Sequence, residues 1–422
     1  MPLFELPTAS SKPDTYASAY RVDEINPSGA ISQNGGGSVT FEVASPSGNW
    51  FVPKLSFFEF RLQVLTSGNA AIAATAGAVN TAASDTGDGI QFAEYPASHL
   101  VETYSHSING ASLETISDCA ELSAIQSRTM LPQEYAETFA DTFRMRAPGG
   151  KPNSITDADV PGGALQPWDG TTEVFSCAYQ PPGGIWKYGG SIPGMRQRIV
   201  LSLTNTLTKA VMAKSTATLP VVKLLGVKFY AAHVVPELPI APPRNVVLSL
   251  PMMALVKQTA NGSNQTLTFS VAPSTDKVYA AVNAATATGA VGTAAHEFQK
   301  DVKAIEFSYA GQRFPSISYG STLASGHAER DISRAFLDYA QTTGRLFRSQ
   351  GMVDNETTWA NRMIFGASFE KPANDQSTNL IVRCNTTSAG NLCLAYQHHK
   401  ICVLRYGADG LCEGCDVQEN LT

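Results

Sequence analysis

Two stretches of this chain carry the same landmarks in the same order, which constrains it to two copies of one fold more tightly than any single motif does. Residues 39–46 read V-T-F-E-V-A-S-P and residues 267–273 read L-T-F-S-V-A-P, an offset of 228. An alanine-rich stretch follows each: A-T-A-G-A-V-N-T-A-A at 74–83 and A-T-A-T-G-A-V-G-T-A-A at 285–295, an offset of 211. Residues 101–117, V-E-T-Y-S-H-S-I-N-G-A-S-L-E-T-I-S, then lie without a gap over 302–318, V-K-A-I-E-F-S-Y-A-G-Q-R-F-P-S-I-S, at an offset of 201. The offset shrinks along the chain, as it would if the first copy carried the longer loops. Each match is weak alone; their shared order carries the inference.

The length of 422 residues exceeds what one hydrophobic core supports, so two domains of about 200 residues are expected. The local pattern is β. Short β-branched and aromatic runs alternate with Gly, Pro, Asn and Ser clusters, the pattern of antiparallel sandwiches and barrels. Strands are expected at 38–43, 57–65, 99–107, 198–203 and 222–231 in the first copy. In the second they are expected at 246–250, 266–271, 277–282, 302–309, 380–384, 392–396 and 401–405. In F-F-E-F-R-L-Q-V-L at 57–65, Phe58, Phe60, Leu62 and Val64 fall on one face, with Glu59, Arg61 and Gln63 on the other. Asn109-Gly110 and Ala310-Gly311 sit at matching positions and mark hairpin turns.

After that hairpin each copy turns to a helical period, at 118–128 with 134–143 in the first copy and 328–347 in the second. Ile332, Ala335, Phe336, Tyr339 and Ala340 form one apolar stripe, suited to lie on a sheet; Pro132 and Gly344 mark where helices end or kink. The Gly/Pro-rich stretch 146–194 reads as a long surface excursion of the first copy. The proline-rich V-V-P-E-L-P-I-A-P-P-R at 234–244 reads as the junction. The expected organisation is an N-terminal arm 1–35, a first sandwich 36–236, a linker 237–244, a second sandwich 245–410 and a tail 411–422.

Composition narrows the function classes. Charged residues make up 16 % of the chain, against a norm of about 25 %, which suits a surface largely covered by copies of itself. Net charge is −6, and the first 35 residues carry Lys12 and Arg21 against Glu5, Asp14, Asp23 and Glu24. Without a basic arm, direct nucleic-acid binding is not expected. Neither a secretory leader nor a membrane-spanning run is legible, so the Asn-x-Ser/Thr sequons read as chance and the seven cysteines as reduced, mostly core thiols.

No catalytic, cofactor or metal site is expected. G-x-S-x-G, Walker and H-E-x-x-H motifs are absent. His398, His399, Cys402, Cys412 and Cys415 have a zinc-like composition, but His398 to Cys402 lie on a strand whose alternate side chains diverge. His327-Ala328-Glu329 with Cys412 and Cys415 only imitates a deaminase signature, Leu411 standing where proline belongs. The remaining histidines read as structural, and Trp50, Trp168, Trp186 and Trp359 as core or subunit packing.

The order of features resembles a double jelly-roll major capsid protein of tailless DNA viruses, in the virophage, polinton-like and adenovirus-type lineage. The likeness is greatest in F-S-Y-A-G-Q-R-F-P-S (307–316), R-D-I-S-R-A-F-L-D-Y (330–339), F-G-A-S-F-E-K (365–371), D-Q-S-T-N-L-I-V (375–382) and S-A-G-N-L-C-L (388–394), and it spans about 36–410. The resemblance implies two tandem eight-stranded antiparallel jelly rolls with short flanking helices. It also implies a homotrimer serving as a pseudo-hexagonal tile of an icosahedral virion shell, made in the host cytosol. Partners would be the chain itself, neighbouring capsomers, penton or minor capsid proteins and a host receptor. Two other readings stay open: a single jelly-roll shell domain with a projecting β domain, as in small RNA or single-stranded DNA viruses, and a carbohydrate-binding β-sandwich in which Trp168 and Trp186 stack on sugars.

Overall fold

The computed structural model describes residues 17–45, 48–65, 67–69, 90–92, 95–129, 174–213, 220–236, 242–261, 264–284, 302–316, 329–344, 359, 363–369, 378–386 and 389–419. Strands of the first copy are β1 (Ala17–Ile25), β2 (Ser38–Ala44), β3 (Trp50–Phe51), β4 (Phe57–Leu65), β5 (Ile90–Phe92), β6 (Val101–Ile108), β7 (Ala111–Ser117), β8 (Val174–Tyr179), β9 (Arg196–Leu203), β10 (Val211–Ala213) and β11 (Val221–Pro236). Those of the second are β12 (Asn245–Asn261), β13 (Gln265–Ser270), β14 (Lys277–Ala284), β15 (Val302–Tyr309), β16 (Gln312–Phe314), β17 (Phe365–Ser368), β18 (Asn379–Thr386), β19 (Ala389–Tyr406) and β20 (Cys412–Glu419). Helix α1 (Cys119–Thr129) follows β7, and α2 (Glu329–Thr343) follows β16.

The strand orders repeat. The first copy pairs β1-β11-β4-β8 in one sheet and β2-β9-β6-β7 in the other; the second pairs β12-β19-β14-β17 and β13-β18-β15-β16. Setting aside the short strands β3, β5 and β10 and the added edge strand β20, the eight strands of each copy in chain order give 1-8-3-6 and 2-7-4-5, the order of a jelly roll. All pairings are antiparallel. Two of the three sequence landmarks therefore fall on structurally equivalent strands, β2 with β13 and β6-β7 with β15-β16; the alanine-rich stretches 74–83 and 285–295 lie outside the described residues. This order in the second half removes the reading of one jelly roll followed by a different projecting domain.

The alternation in β4 places Phe58, Phe60, Leu62 and Val64 in the core at 0 % exposure. Phe58 meets Phe41, Tyr179, Trp186 and Phe229, and Phe60 meets Tyr179, in edge-to-face and tilted contacts. Burying such rings supplies most of a sandwich's stability, at about 25 cal/mol per Å² of apolar surface. The matching hairpins both close through two residues of positive φ, Asn109 (48°) with Gly110 (84°) and Ala310 (51°) with Gly311 (75°). That backbone follows the right-handed twist of the flanking strands. Gly344, at φ 71°, ends α2 as expected, its N–H reaching the Gln341 carbonyl at 2.9 Å.

Three expected boundaries are corrected. Residues 17–25, placed in an N-terminal arm, form β1 and pair with β11 from Ala17↔Pro236 to Ile25↔Phe229. Residues 412–419, placed in a tail, form β20 on the edge of β19. Of the excursion expected over 146–194, residues 146–173 lie outside the described ones, but 174–179 are the sheet strand β8, and Ile185, Trp186 and Ile192 are core residues. The proline-rich composition of 181–194 belongs to a tightly packed turn. The strands expected at 392–396 and 401–405 are one continuous strand, β19. Residues 134–143 and 237–241 also lie outside the described residues.

Candidate functional site: the junction between the sandwiches

Among the described residues polar chemistry concentrates where the two sandwiches meet. Strand β7, helix α1 and the turn 181–195 of the first copy lie against β12, β19 and β20 of the second. Gly184 needs its missing side chain there: a Cβ would stand 2.4 Å from Met252 Sδ and 2.9 Å from the Pro251 carbonyl oxygen. Asn109 Nδ2 donates to the Cys412 carbonyl at 2.7 Å, the Cys412 N–H to Gly194 O at 3.2 Å, and the Tyr406 hydroxyl to Pro193 O at 3.2 Å. Lys257 of β12 donates to Asp118 Oδ1 at 2.8 Å and pairs with Glu121 of α1, whose side chain is 6 % exposed. Although burial opposes it, the two carboxylates hold the Lys257 ammonium above its ordinary pKa. The hydroxyl of Tyr339 in α2 donates to Arg128 O of α1 at 3.4 Å. The helices of the two copies thus meet, and both pack on the outer face of the second copy's β12-β19-β14-β17 sheet.

Behind this contact lies a buried polar network confined to the first copy. The Tyr104 hydroxyl accepts from Trp186 Nε1 at 2.9 Å and lies 3.0 Å from His106 Nδ1 and 3.3 Å from Glu114 Oε1. Glu114 Oε2 accepts from the Gly184 N–H at 3.1 Å, and His106 Nε2 lies 3.0 Å from Gln197 Oε1. The Tyr104 hydroxyl donates to Glu114, so all three groups share one short chain of hydrogen bonds. Burial pushes the Glu114 carboxyl up to about 7, against the opposing Gly184 N–H, and burial holds His106 down at about 4. Burial also brings Lys187 down to about 7, although Glu114 favours its charge; its ammonium has no hydrogen-bond partner among the described residues.

The remaining candidates take structural places. Trp50, Trp186 and Trp359 are buried at 1 %, 3 % and 0 % exposure, so Trp186 offers no platform to a sugar; Trp168 lies outside the described residues. His233 is buried, with Nε2 3.0 Å from Ser45 Oγ and Nδ1 3.3 Å from Asp23. His398 packs on the Tyr396 ring, while His399 lies 3.8 Å from Asp276. Cys402 and Cys415 face each other with sulfurs 3.1 Å apart. Among the described residues no three histidines, cysteines or carboxylates converge to hold a metal ion, and no helix is long and apolar enough to cross a membrane. His327 lies outside the described residues.

What the sequence reading missed is the junction itself. Its trace was the departure from strict alternation: K-V-Y-A-A-V at 277–282 is apolar on both faces, the mark of a strand covered on both sides.

No protein-family model matches the sequence, and no curated protein does. Solved structures match the fold. A cryo-EM structure of the Sputnik virophage is similar with a TM-score of 0.60 at 13 % identity, covering 98 % of this chain and 91 % of that one. The crystal structure of the mavirus major capsid protein gives 0.56 at 12 % identity, over 98 % and 92 %. A quasi-atomic model of the PBCV-1 virus capsid gives 0.56 at 7 % identity, over 98 % and 99 %. The likeness extends over both sandwiches and their junction, and the chain has the double jelly-roll fold.

Proposed function

We propose that this chain is the major capsid protein of a double jelly-roll virus, a structural subunit that trimerises into a pseudo-hexagonal tile of an icosahedral shell. The observation that carries the reading is the repeated strand order in two sandwiches docked through one extended junction. Such a chain presents two similar wedges, and three copies around a threefold axis give six. The fold shared with the mavirus major capsid protein and the PBCV-1 capsid supports it.

The first copy's β1-β11-β4-β8 sheet supports it further. Among the described residues its outer face is exposed, bearing Tyr20 (51 % exposed) and Val22 (46 %) beside Glu24, Lys228 and Arg61. Among the described residues strand β1 is also a sheet edge, and edges of this length are usually covered by a neighbour. Self-association there, then contact with neighbouring capsomers and with penton or minor capsid proteins, is the function; a host receptor would be met by outward loops. The protein acts in the virion shell, without catalysis and without direct genome binding.

Light scattering on the purified protein, followed by negative-stain imaging of the same peak, tests this. A species of three chain masses with a hexagonal outline is expected. A monodisperse monomer at high concentration would overturn it.

A further inference from the structure

Strand β20 is the last described strand, and its only sheet partner among the described residues is β19. The ladder sets Cys402 opposite Val417 and Leu404 opposite Cys415, so Cys402 and Cys415 occupy diagonal positions on one face of the pair. Their sulfurs are 3.1 Å apart, both residues are buried, and neither is in a disulfide. We propose that Cys402 and Cys415 are a redox site, closing to an intrachain disulfide that fastens β20 to β19. Forming the bond draws the sulfurs together by about 1 Å, to about 2.05 Å, within reach of side-chain rotation and slight strand movement.

The step is a two-electron thiol–disulfide exchange with a small-molecule disulfide such as oxidised glutathione. When β20 frays, the Cys415 thiolate attacks one sulfur of the oxidant, forming a mixed disulfide and expelling the first glutathione thiolate. The Cys402 thiolate then attacks Cys415 Sγ and expels the second. Both protein thiol protons end on glutathione, so two cysteines are oxidised and one glutathione disulfide is reduced to two thiols. Entry is at Cys415, on the edge strand, because Cys402 is fully buried at 0 % exposure.

Position gives the bond its consequence. Cys412, three residues before Cys415, exchanges backbone hydrogen bonds with the first sandwich, through Asn109 Nδ2 and Gly194 O. Fixing β20 to β19 therefore fixes a contact between the two sandwiches, and a reductant releases it. This proposal does not depend on the assembly reading.

The test uses the intact native chain. The protein is dialysed against excess oxidised glutathione, quenched in acid, alkylated with N-ethylmaleimide and digested without reduction. Trypsin cuts after Arg405 and a glutamate-specific protease after Glu413, which separates Cys412 from Cys415. The expected result is a fall of two in titratable thiols from the seven of the reduced chain, one linked peptide pair joining Cys402 to Cys415, and full recovery with dithiothreitol. Cys412→Ser should leave the link in place, and Cys402→Ser should abolish it. Seven thiols remaining after oxidation, or a link that joins Cys412 instead, overturns the proposal. The wild-type peptide map decides between these outcomes even if a variant fails to fold.

Discussion

Strands β4 and β14 occupy the same place in the same strand order, yet one has a polar outer face and the other is buried on both sides. In β4, Glu59, Arg61 and Gln63 alternate with fully buried Phe58, Phe60, Leu62 and Val64. In β14, Val278 through Val282 are all within 2 % of full burial. The inner faces differ as well. At the 201-residue offset, Tyr104 and His106 of the first copy become Ile305 and Phe307 of the second, and Glu114 becomes Pro315. At these positions the second sandwich is apolar, and helices lie over one of its sheets; the first has a polar core network and, among the described residues, an exposed outer sheet. A duplicated fold need not divide its work evenly. Here one copy's sheet is covered within the chain, and the other's is exposed among the described residues.

The largest test of that contrast is Trp186→Ala. Its ring meets Phe51, Phe58, Phe229 and His106, and it donates to Tyr104. Truncation should cost about 3–5 kcal/mol by urea denaturation. If the second copy's core is independent of that loss, its unfolding transition, followed at Trp359, should shift less than that of the first.

The polar network should give the first copy a pH response of its own. A carboxyl raised from 4.5 to about 7 on folding binds its proton more tightly in the native state. Its stabilising contribution is complete below pH 4.5 and is lost as pH rises through 7. Against Glu114→Gln measured in parallel, the wild type should lose about 2–3 kcal/mol of relative stability between pH 4.5 and 7.5. A flat difference would show that Glu114 is not buried as the junction requires. The parallel variant cancels the opposite trend of His106, whose lowered pKa favours folding above 6.5 and loses that contribution as pH falls towards 4.

Outer faces should tell the sheets apart at smaller scale. Ala281→Leu adds volume under the covering helices and should cost about 1–3 kcal/mol. Arg61→Leu, on the open face of β4, should change monomer stability by less than about 0.5 kcal/mol. Equal effects would erase the contrast. The smallest effect sharpens the hairpin equivalence. Ala310→Asn should stabilise by about 0.5 kcal/mol, because asparagine tolerates the left-handed backbone better than alanine. Asn109→Ala should cost about 1–2 kcal/mol, since it also loses its bonds to Cys412 O and the Arg196 N–H. Thermal melts in parallel would resolve the sign difference.

These regions also mark how far sequence reasoning reached. The alternation in β4 and the run 302–309 were legible because period-2 patterning on a half-buried strand is a local signal; both strands lie at the expected residues. Strand β1 was missed because A-S-A-Y-R-V-D-E-I lies on a sheet edge with little burial, so its residues are not patterned by a core. Strand β20 was missed for a similar reason, its C-E-G-C-D-V-Q-E reading as polar and breaker-rich. The turn 181–195 looked like an outward loop because glycine and proline signal both exposed turns and close backbone approach, and only the neighbouring Met252 separates the two. The junction residues Asn109, Lys257 and Cys412 are distant in sequence and share no motif, so nothing local announced that they meet.

The central strand of each larger sheet has a consequence for how the chain is made. Strand β19 separates β12 from β14, and its pairing with β12 joins Asn245 to Arg405; β11 likewise separates β1 from β4 and joins Ala17 to Pro236. A growing polypeptide therefore holds the flanking strands of each sandwich without their common neighbour until its eighth jelly-roll strand has left the ribosome. Contacts at such separations form slowly and leave strand edges exposed in the meantime. Each sandwich is keyed shut by its eighth jelly-roll strand, so heterologous production should be more sensitive to chaperone supply and growth temperature than to the strength of any one contact in the finished protein.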